Sequence, residues 1–185
     1  MSSNDDNRKR DLESRDFFYW LAVGVIFGGF SGVCFHEIAN YWQPGHLGYN
    51  GATYFRAAIN SLRFEMWGQV KYYTGFVPPE SHQIFTHHPM MVHFHLIPLV
   101  ATLGAEEWVG RLIPTLYSIG SLAMLFGLVY HYYDRVSAVA AAVIFSLLPI
   151  NLVFANMIDH EQGAIFWCIA HLIVYFKWFE TRDSM

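Results

Sequence analysis

Charged side chains are scarce in this sequence. Asp, Glu, Lys and Arg make up 14% of its 185 residues, against about 25% in an average globular domain. The formal net charge is −4, so the chain has no electrostatic attraction for polyanions, and we expect no nucleic-acid partner. Apolar residues make up 54% of the chain, which excludes an intrinsically disordered protein.

Cysteine is rare as well. Cys34 and Cys168 both fall in apolar segments, and we interpret them as ordinary buried thiols. They lie at a similar predicted depth, which leaves a disulfide open without requiring one. The metal-binding patterns His-Glu-x-x-His and Cys-x-x-Cys are missing. We therefore expect neither a metal site nor another cofactor.

The sequence contains long uncharged runs instead. Four of them are long enough, or nearly so, to cross a hydrocarbon core of roughly 30 Å at about 1.5 Å per residue. They are residues 17–36, 112–132, 136–157 and 163–179. A fifth run, residues 89–103, is shorter and contains two prolines and two histidines, which favours a helix at the membrane surface.

The basic residues indicate how these spans are oriented. With four spans, most of the Lys and Arg residues lie on the side of the two chain ends, and that side is the cytoplasm by the positive-inside rule. If the fifth run also crossed, this excess would be lost. We therefore predict an all-α integral membrane protein with four transmembrane helices and both termini cytoplasmic, in a bacterial inner (plasma) membrane.

This topology divides the chain into three parts. Cytoplasmic tails at residues 1–16 and 180–185 flank a membrane domain at residues 17–179. The first span is too long for the apolar core of a signal peptide and is not followed by a small-residue cleavage site, so we interpret it as a signal anchor. The outer loop, residues 37–111, carries two amphipathic juxtamembrane helices at about residues 51–67 and 89–103.

Span one has glycine at every fourth position, at Gly24, Gly28 and Gly32. Such a face lets another helix approach closely, because helices in lipid associate through dispersion contacts rather than by expelling water. We expect this face to pack against other spans of the same chain. A face reserved for a partner chain is the alternative.

The predicted outer side gathers most of the conspicuous polar groups of the chain. They are His46, Tyr49, Asn50, His82, His87, His88, Glu106, Glu107, Arg111, Asp159, His160 and Glu161. Such a convergence of titratable and hydrogen-bonding groups on one side of a membrane is typical of a binding or catalytic site.

The order and spacing of these groups resemble the N-terminal part of the GT-C glycosyltransferases, the superfamily of protein O-mannosyltransferases and aminoarabinose transferases. The matching stretches are residues 46–64, 86–122 and 147–166. They contain the turn His88-Pro89-Met90, a Gly-x-x-Glu-x-x-x-Arg-Leu-x-Pro segment with Glu107 and Arg111, and the acidic loop Asp159-His160-Glu161. The resemblance implies polyprenyl-phosphate sugars as ligands.

The sequence departs from the family at one chemically important position. Family members carry an acid in the first outer loop, beside an Asn-Gly-like element, that acts at the reacting centre. Here that element is Asn50-Gly51, and no Asp or Glu occurs between Glu37 and Glu65. The family also has many more spans. We therefore expect a non-catalytic accessory or scaffolding subunit, with other integral membrane subunits and membrane lipids as partners.

The alternative is a glycosyltransferase that uses a polyprenyl-phosphate-linked sugar donor. The resemblance then implies that Asp159 or Glu161 positions or deprotonates the acceptor. The groups implied in binding are Arg111 and His88 for the lipid phosphate, and Tyr49 and Asn50 for the sugar.

Simpler interpretations of the same residues stay open. Glu107 and Arg111 are four positions apart and would also suit a plain interfacial ion pair, and residues 159–161 would suit a polar turn between spans. The histidines at 82, 87, 88, 93 and 95 would offer a transition-metal site. His171 lies near mid-membrane and would suit a single axial ligand to a pigment.

Overall fold

The computed structural model describes residues 3–36, 38–39, 46–65, 69–70, 84–85 and 91–183. For residues 3–12, 46–47, 69–70, 84–85 and 183 it describes the backbone alone.

The described chain is almost entirely helical, which confirms the predicted all-α class. In chain order its helices are α1 (Ser3–His36), α2 (His46–Phe64), α3 (Met91–Leu103), α4 (Glu107–Tyr132), α5 (Arg135–Leu147), α6 (Pro149–Phe154) and α7 (His160–Asp183). Two short strands, β1 (Gln69–Val70) and β2 (Ile84–Phe85), pair antiparallel between α2 and α3.

Three helices of the described chain are long and apolar enough to cross a membrane. They cover Glu13–His36, Glu107–Tyr132 and His160–Arg182, and they contain the predicted spans one, two and four. The chain is thus an integral membrane protein with at least these three candidate spans. The helices predicted at 51–67 and 89–103 form as α2 and α3, with α2 beginning earlier than predicted; their position relative to the membrane surface stays a prediction.

The predicted third span, residues 136–157, is interrupted and consists of α5 and α6. α5 ends at Leu147, and Leu148 is extended, with φ −63° and ψ 125°, because the residue before a proline is disfavoured in helical geometry. Pro149 then begins α6. Whether α5 and α6 together cross the membrane stays a prediction.

The break at Pro149 is stabilised by a nearby side chain. Proline has no N–H to donate to the carbonyl four residues earlier, which is that of Phe145. The amide Nδ2 of Asn151 donates to this carbonyl at 2.7 Å, and Asn151 is buried. The acceptor that the proline would leave unsatisfied inside the bundle is therefore paired.

Ring contacts fix how the long helices run. α1 is antiparallel to α4, because Trp20 lies beside Tyr130 and Phe27 lies beside Phe126. α7 is parallel to α4, because Gly163 lies beside Tyr117 while Phe176 lies beside Tyr132.

These directions give the bundle two distinct ends. The end that carries Asn50, Gly110 and Asp159 is called the site end here. The opposite end, where Arg135 pairs with Asp16 and Glu180 lies near His131, is called the tail end. The structure thus brings residues near 50, 111 and 160 to one end of the bundle, as predicted.

Two clusters of buried apolar side chains hold the helices together. The first joins α2, α3, α4 and the loop before α7, and consists of Tyr54, Phe55, Ala58, Val92, Leu96, Val100, Ile113, Tyr117 and Ile158. The second joins α1, α4 and α5 towards the middle of the bundle, and consists of Phe30, Cys34, Leu122, Ala142, Phe145 and Ala155. Cys34 is a free buried thiol, and Cys168 is free and exposed.

The expected packing of the glycine face within the chain is wrong. A Cβ built at Gly24, Gly28 or Gly32 meets no described atom within 4 Å. The side of α1 that contacts α4 and α5 carries Phe27 and Phe30 instead. Aromatic rings bury more area than a glycine surface does, and they turn the glycine side of the helix away from the bundle.

We predict that Asn151→Ala destabilises the bundle by about 1–2 kcal/mol, because the buried Phe145 carbonyl then has no donor. The measurement is thermal or denaturant unfolding of the purified protein in detergent micelles. Asn156→Ala is the control, because Asn156 is half-buried and Asn151, not Asn156, donates to the Phe145 carbonyl. Equal losses for the two variants would show that Asn151 does not stabilise the break.

Candidate functional site

A hydrogen bond joins α2 to the loop before α7 at the site end. The amide Nδ2 of Asn50 donates to Oδ2 of Asp159 at 3.1 Å. The other carboxylate oxygen, Oδ1, accepts the backbone N–H of His160 at 2.9 Å. Asp159 therefore lies at the positive N-terminal end of α7, where a carboxylate is stabilised, and its side chain is buried.

A second contact lies beside the first. The Tyr54 hydroxyl is 2.6 Å from Nε2 of His160, and the two ring centroids are 5.0 Å apart. Burial, reinforced by the charges of Asp159 and Glu161, raises the pKa of Tyr54 above its usual range. The phenol therefore stays protonated at neutral pH, and the direction of its hydrogen bond follows the tautomer of His160.

Asp159 and Glu161 form a close pair of carboxyl groups at the start of α7. The Glu161 side chain is half-buried and interacts with that of Asp159. Its Oε2 is buried and has no hydrogen-bond partner among the described residues. Two neighbouring carboxyl groups of this kind can share a proton and exchange it with a ligand.

Gly110 allows α4 to approach these elements. A Cβ built there would lie 2.5 Å from Cδ1 of Ile158 and 2.8 Å from a ring carbon of Phe55. α2, α4 and the loop before α7 therefore meet around a position that has room only for hydrogen. Arg111, the next residue, is 4% exposed, so its side chain is buried at this end of the bundle rather than on the surface.

Tyr49, another predicted binding residue, lies outside this cluster. It is on α2 next to Asn50, but its side chain is half exposed and does not line the groove beside α7. His88 lies outside the described residues. The structure thus brings together Asn50, Asp159 and Glu161, places Arg111 at the same end, and leaves Tyr49 on the surface.

An open groove of about 690 Å³ begins at this cluster and runs along α7. Its walls come from the first turn of α3 and one side of α7, with His160 at one end and His171 and Leu172 at the other. Twelve residues of α-helix separate His160 from Leu172, so the groove extends for roughly 18 Å. Its surface is almost wholly apolar.

Small residues of α7 that line this groove are visible in the sequence, but we did not predict the groove from them. Gly163, Ala164 and Cys168 line it, and these small residues recur on one side of a helix that otherwise carries large apolar side chains. The buried Gln162 was also missed. It is 1% exposed, and neither its amide nitrogen nor its oxygen has a partner among the described residues.

The histidines of α3 serve separate partners. His93 is fully buried and shares a 2.9 Å hydrogen bond with Ser61, and burial lowers its pKa to about 4, so it is neutral at pH 7. His95 contacts the Tyr117 hydroxyl at 2.9 Å and stacks on Trp167. Within the part of the chain that is described, no three His, Cys, Asp or Glu side chains are placed to hold a metal ion.

His171, the residue considered as a pigment ligand, lines the far end of the groove. Its Nδ1 is 2.6 Å from the backbone carbonyl of Trp167. That contact assigns the proton to Nδ1 and leaves Nε2 as the acceptor.

A family model connects this geometry to known proteins. The model described as dolichyl-phosphate-mannose-protein mannosyltransferase matches residues 87–184, more than half of the chain. The chain belongs to this family, which is of the GT-C type. The match includes Arg111, Asp159, Glu161 and the groove wall of α7, whereas Asn50 precedes it. No curated protein and no solved structure matches the chain.

We predict that Asn50 and Asp159 are energetically coupled. In a double-mutant cycle of Asn50→Ala and Asp159→Ala, the coupling energy should be about 1–3 kcal/mol, the range for a hydrogen bond to a charged group. Unfolding in detergent micelles measures it. Strictly additive losses would contradict the contact between α2 and the loop before α7.

A further prediction concerns the close approach at Gly110. Gly110→Ala should destabilise the protein by about 1–3 kcal/mol, because the added methyl group overpacks the junction with Phe55 and Ile158. Gly127→Ala on the same helix is the control, because a Cβ there meets no described atom within 4 Å. The same unfolding measurement compares the two, and equal stability would refute the tight junction.

Proposed function

We propose that this protein binds a polyprenyl-phosphate-linked sugar at the site end and acts as a membrane glycosyltransferase module. The single observation that carries the proposal is the Asn50–Asp159 pair next to His160, which lines one end of an apolar groove. A lipid-linked sugar has a matching arrangement, because its long hydrocarbon chain carries the polar head at one end.

The groove is suited to the lipid chain. Its surface is apolar over roughly 18 Å of α7, and it is open along its length rather than enclosed. A polyprenyl chain would gain about 25 cal/mol for each Å² of apolar surface that it covers. His160 marks the end at which the chain would meet its phosphate.

The carboxyl groups are suited to proton transfer. In the proposed reaction, a carboxylate of Asp159 or Glu161 accepts the proton of an acceptor hydroxyl as that oxygen bonds to the anomeric carbon. The bond from this carbon to the phosphate oxygen breaks, and its electron pair leaves with the polyprenyl phosphate. Arg111 and His88 would hold the phosphate, and Tyr49 and Asn50 would contact the sugar.

The predicted topology gives this reaction its compartment. With four spans and cytoplasmic termini in a bacterial inner membrane, the tail end faces the cytoplasm and the site end faces outward. The division into tails at 1–16 and 180–185 and a membrane domain at 17–179 belongs to the same proposal, as does the signal-anchor role of the first span.

A non-catalytic accessory or scaffolding subunit is the second candidate. One observation favours it: no Asp or Glu occurs between Glu37 and Glu65, where the resemblance implies an acid beside the Asn-Gly-like element, and Asn50 of that element holds Asp159. In that case the site end would bind a lipid-linked sugar without transferring it. The outward-facing glycine side of α1, with Gly24, Gly28 and Gly32, would then contact other integral membrane subunits.

The test is sugar transfer from polyprenyl-phosphate mannose by the purified protein in lipid vesicles. We predict that Asp159→Asn lowers the rate by about 10² to 10⁴-fold, the usual contribution of a general base, while donor binding is retained. Glu106→Gln is the control, because Glu106 is exposed and its side chain caps no backbone N–H.

Each outcome decides between the candidates. Transfer that depends on Asp159 supports the enzyme. Donor binding without transfer, together with stoichiometric copurification of other membrane proteins from native membranes, supports the accessory subunit. Absence of both donor binding and transfer would refute both.

A further inference from the structure

A second groove lies between α4 and α7 at the tail end, away from the site described above. Its volume is about 330 Å³. Met124, Gly127, Leu128 and Ile173 line the part nearer the middle of the bundle, and His131 and Lys177 line the part at the tail end. Because α4 and α7 are parallel, the apolar lining residues of both helices lie towards the middle of the bundle and the basic lining residues of both lie at the tail end.

The groove exists because Gly127 has no side chain. A Cβ built at Gly127 meets no described atom within 4 Å, so nothing from the described chain fills the space that a larger residue would occupy. Empty apolar space on the surface of a membrane protein is open to a lipid chain.

Two charged side chains at this end of α7 are Glu180 and Lys177. The Glu180 carboxylate lies 3.8 Å from Nε2 of His131 and also interacts with the Tyr132 hydroxyl. Lys177 is exposed and forms no ion pair with a described residue. Its stem can follow the apolar wall while its ammonium group reaches the headgroup level.

From this arrangement we propose that the groove binds one anionic glycerophospholipid. An acyl chain occupies the space over Gly127, between Leu128 and Ile173, and the lipid phosphate pairs with Lys177. Anionic lipid is favoured over zwitterionic lipid because Lys177 lines the groove and forms no ion pair with a described residue, so its ammonium group can pair with the negative charge of the headgroup.

The experiment counts lipids bound to the full-length chain by native mass spectrometry. The protein is released from micelles that contain equal amounts of phosphatidylglycerol and phosphatidylcholine. The wild-type chain should retain one phosphatidylglycerol in preference to phosphatidylcholine. Gly127→Leu should lower retention at least about tenfold by filling the groove. Lys177→Gln should lower the preference for phosphatidylglycerol about fivefold, because a Lys near an anionic headgroup contributes about 1 kcal/mol.

Two controls make the result specific. Gly24→Leu adds the same side chain at another glycine that has nothing within 4 Å and that does not line this groove, and it should leave retention unchanged. Soluble glycerol phosphate should fail to displace the bound lipid. Lys177→Gln changes only an exposed side chain, so it remains informative if Gly127→Leu does not fold.

Three results would overturn the proposal. They are equal retention of the two lipids by the wild-type chain, unchanged retention in folded Gly127→Leu, and displacement of the lipid by glycerol phosphate. Because this groove and the site end lie at opposite ends of the bundle, the variants should leave binding of polyprenyl-phosphate mannose unchanged. Failure here would therefore be distinguishable from failure of the proposed function.

Discussion

The Asn50–Asp159 hydrogen bond is the contact on which the site end depends. It joins residues 109 positions apart in the chain, and it positions α2 against the start of α7. It acts together with the Tyr54–His160 and Ser61–His93 contacts of the same helix, because directional bonds fix a helix in rotation more precisely than apolar contacts do. The same carboxylate accepts the backbone N–H of His160 at the start of α7, and His160 lines one end of the groove. One side chain therefore contacts both α2 and the first residue of the groove wall.

The two ends of the bundle use their polar groups differently. At the site end, Asp159 and Arg111 are buried, and Gly110 allows α4 to approach Phe55 and Ile158 closely. At the tail end, Arg135 pairs with Asp16 on an exposed surface, where such a pair contributes little to stability. A buried polar group lowers the stability of the fold unless it has a partner. The site end, where polar groups are buried, is therefore the better place for specific chemistry.

The amide of Asn50 matters because of the carboxylate that it contacts. A carboxylate at position 50 would repel Asp159, whereas an amide donates a hydrogen bond to it. Asn50 therefore fixes the orientation of the Asp159 carboxylate. Glu161 lies in the first turn of α7 and interacts with Asp159, so the site end has a pair of acids that are two residues apart in the chain.

The sequence by itself determined the helical class, three of the candidate spans and the family, because each depends on local hydropathy or on short motifs such as those around Arg111 and Asp159. It also contained Pro149, and the break there follows from the missing N–H of proline. Only the tertiary structure decided that Phe27 and Phe30, not the glycine face, contact the bundle. It also decided that Asn50 meets Asp159 and that grooves form beside Gly163 and Gly127. These features depend on which helices are neighbours and how each is rotated, and a cavity is space between segments that no single stretch of sequence encodes.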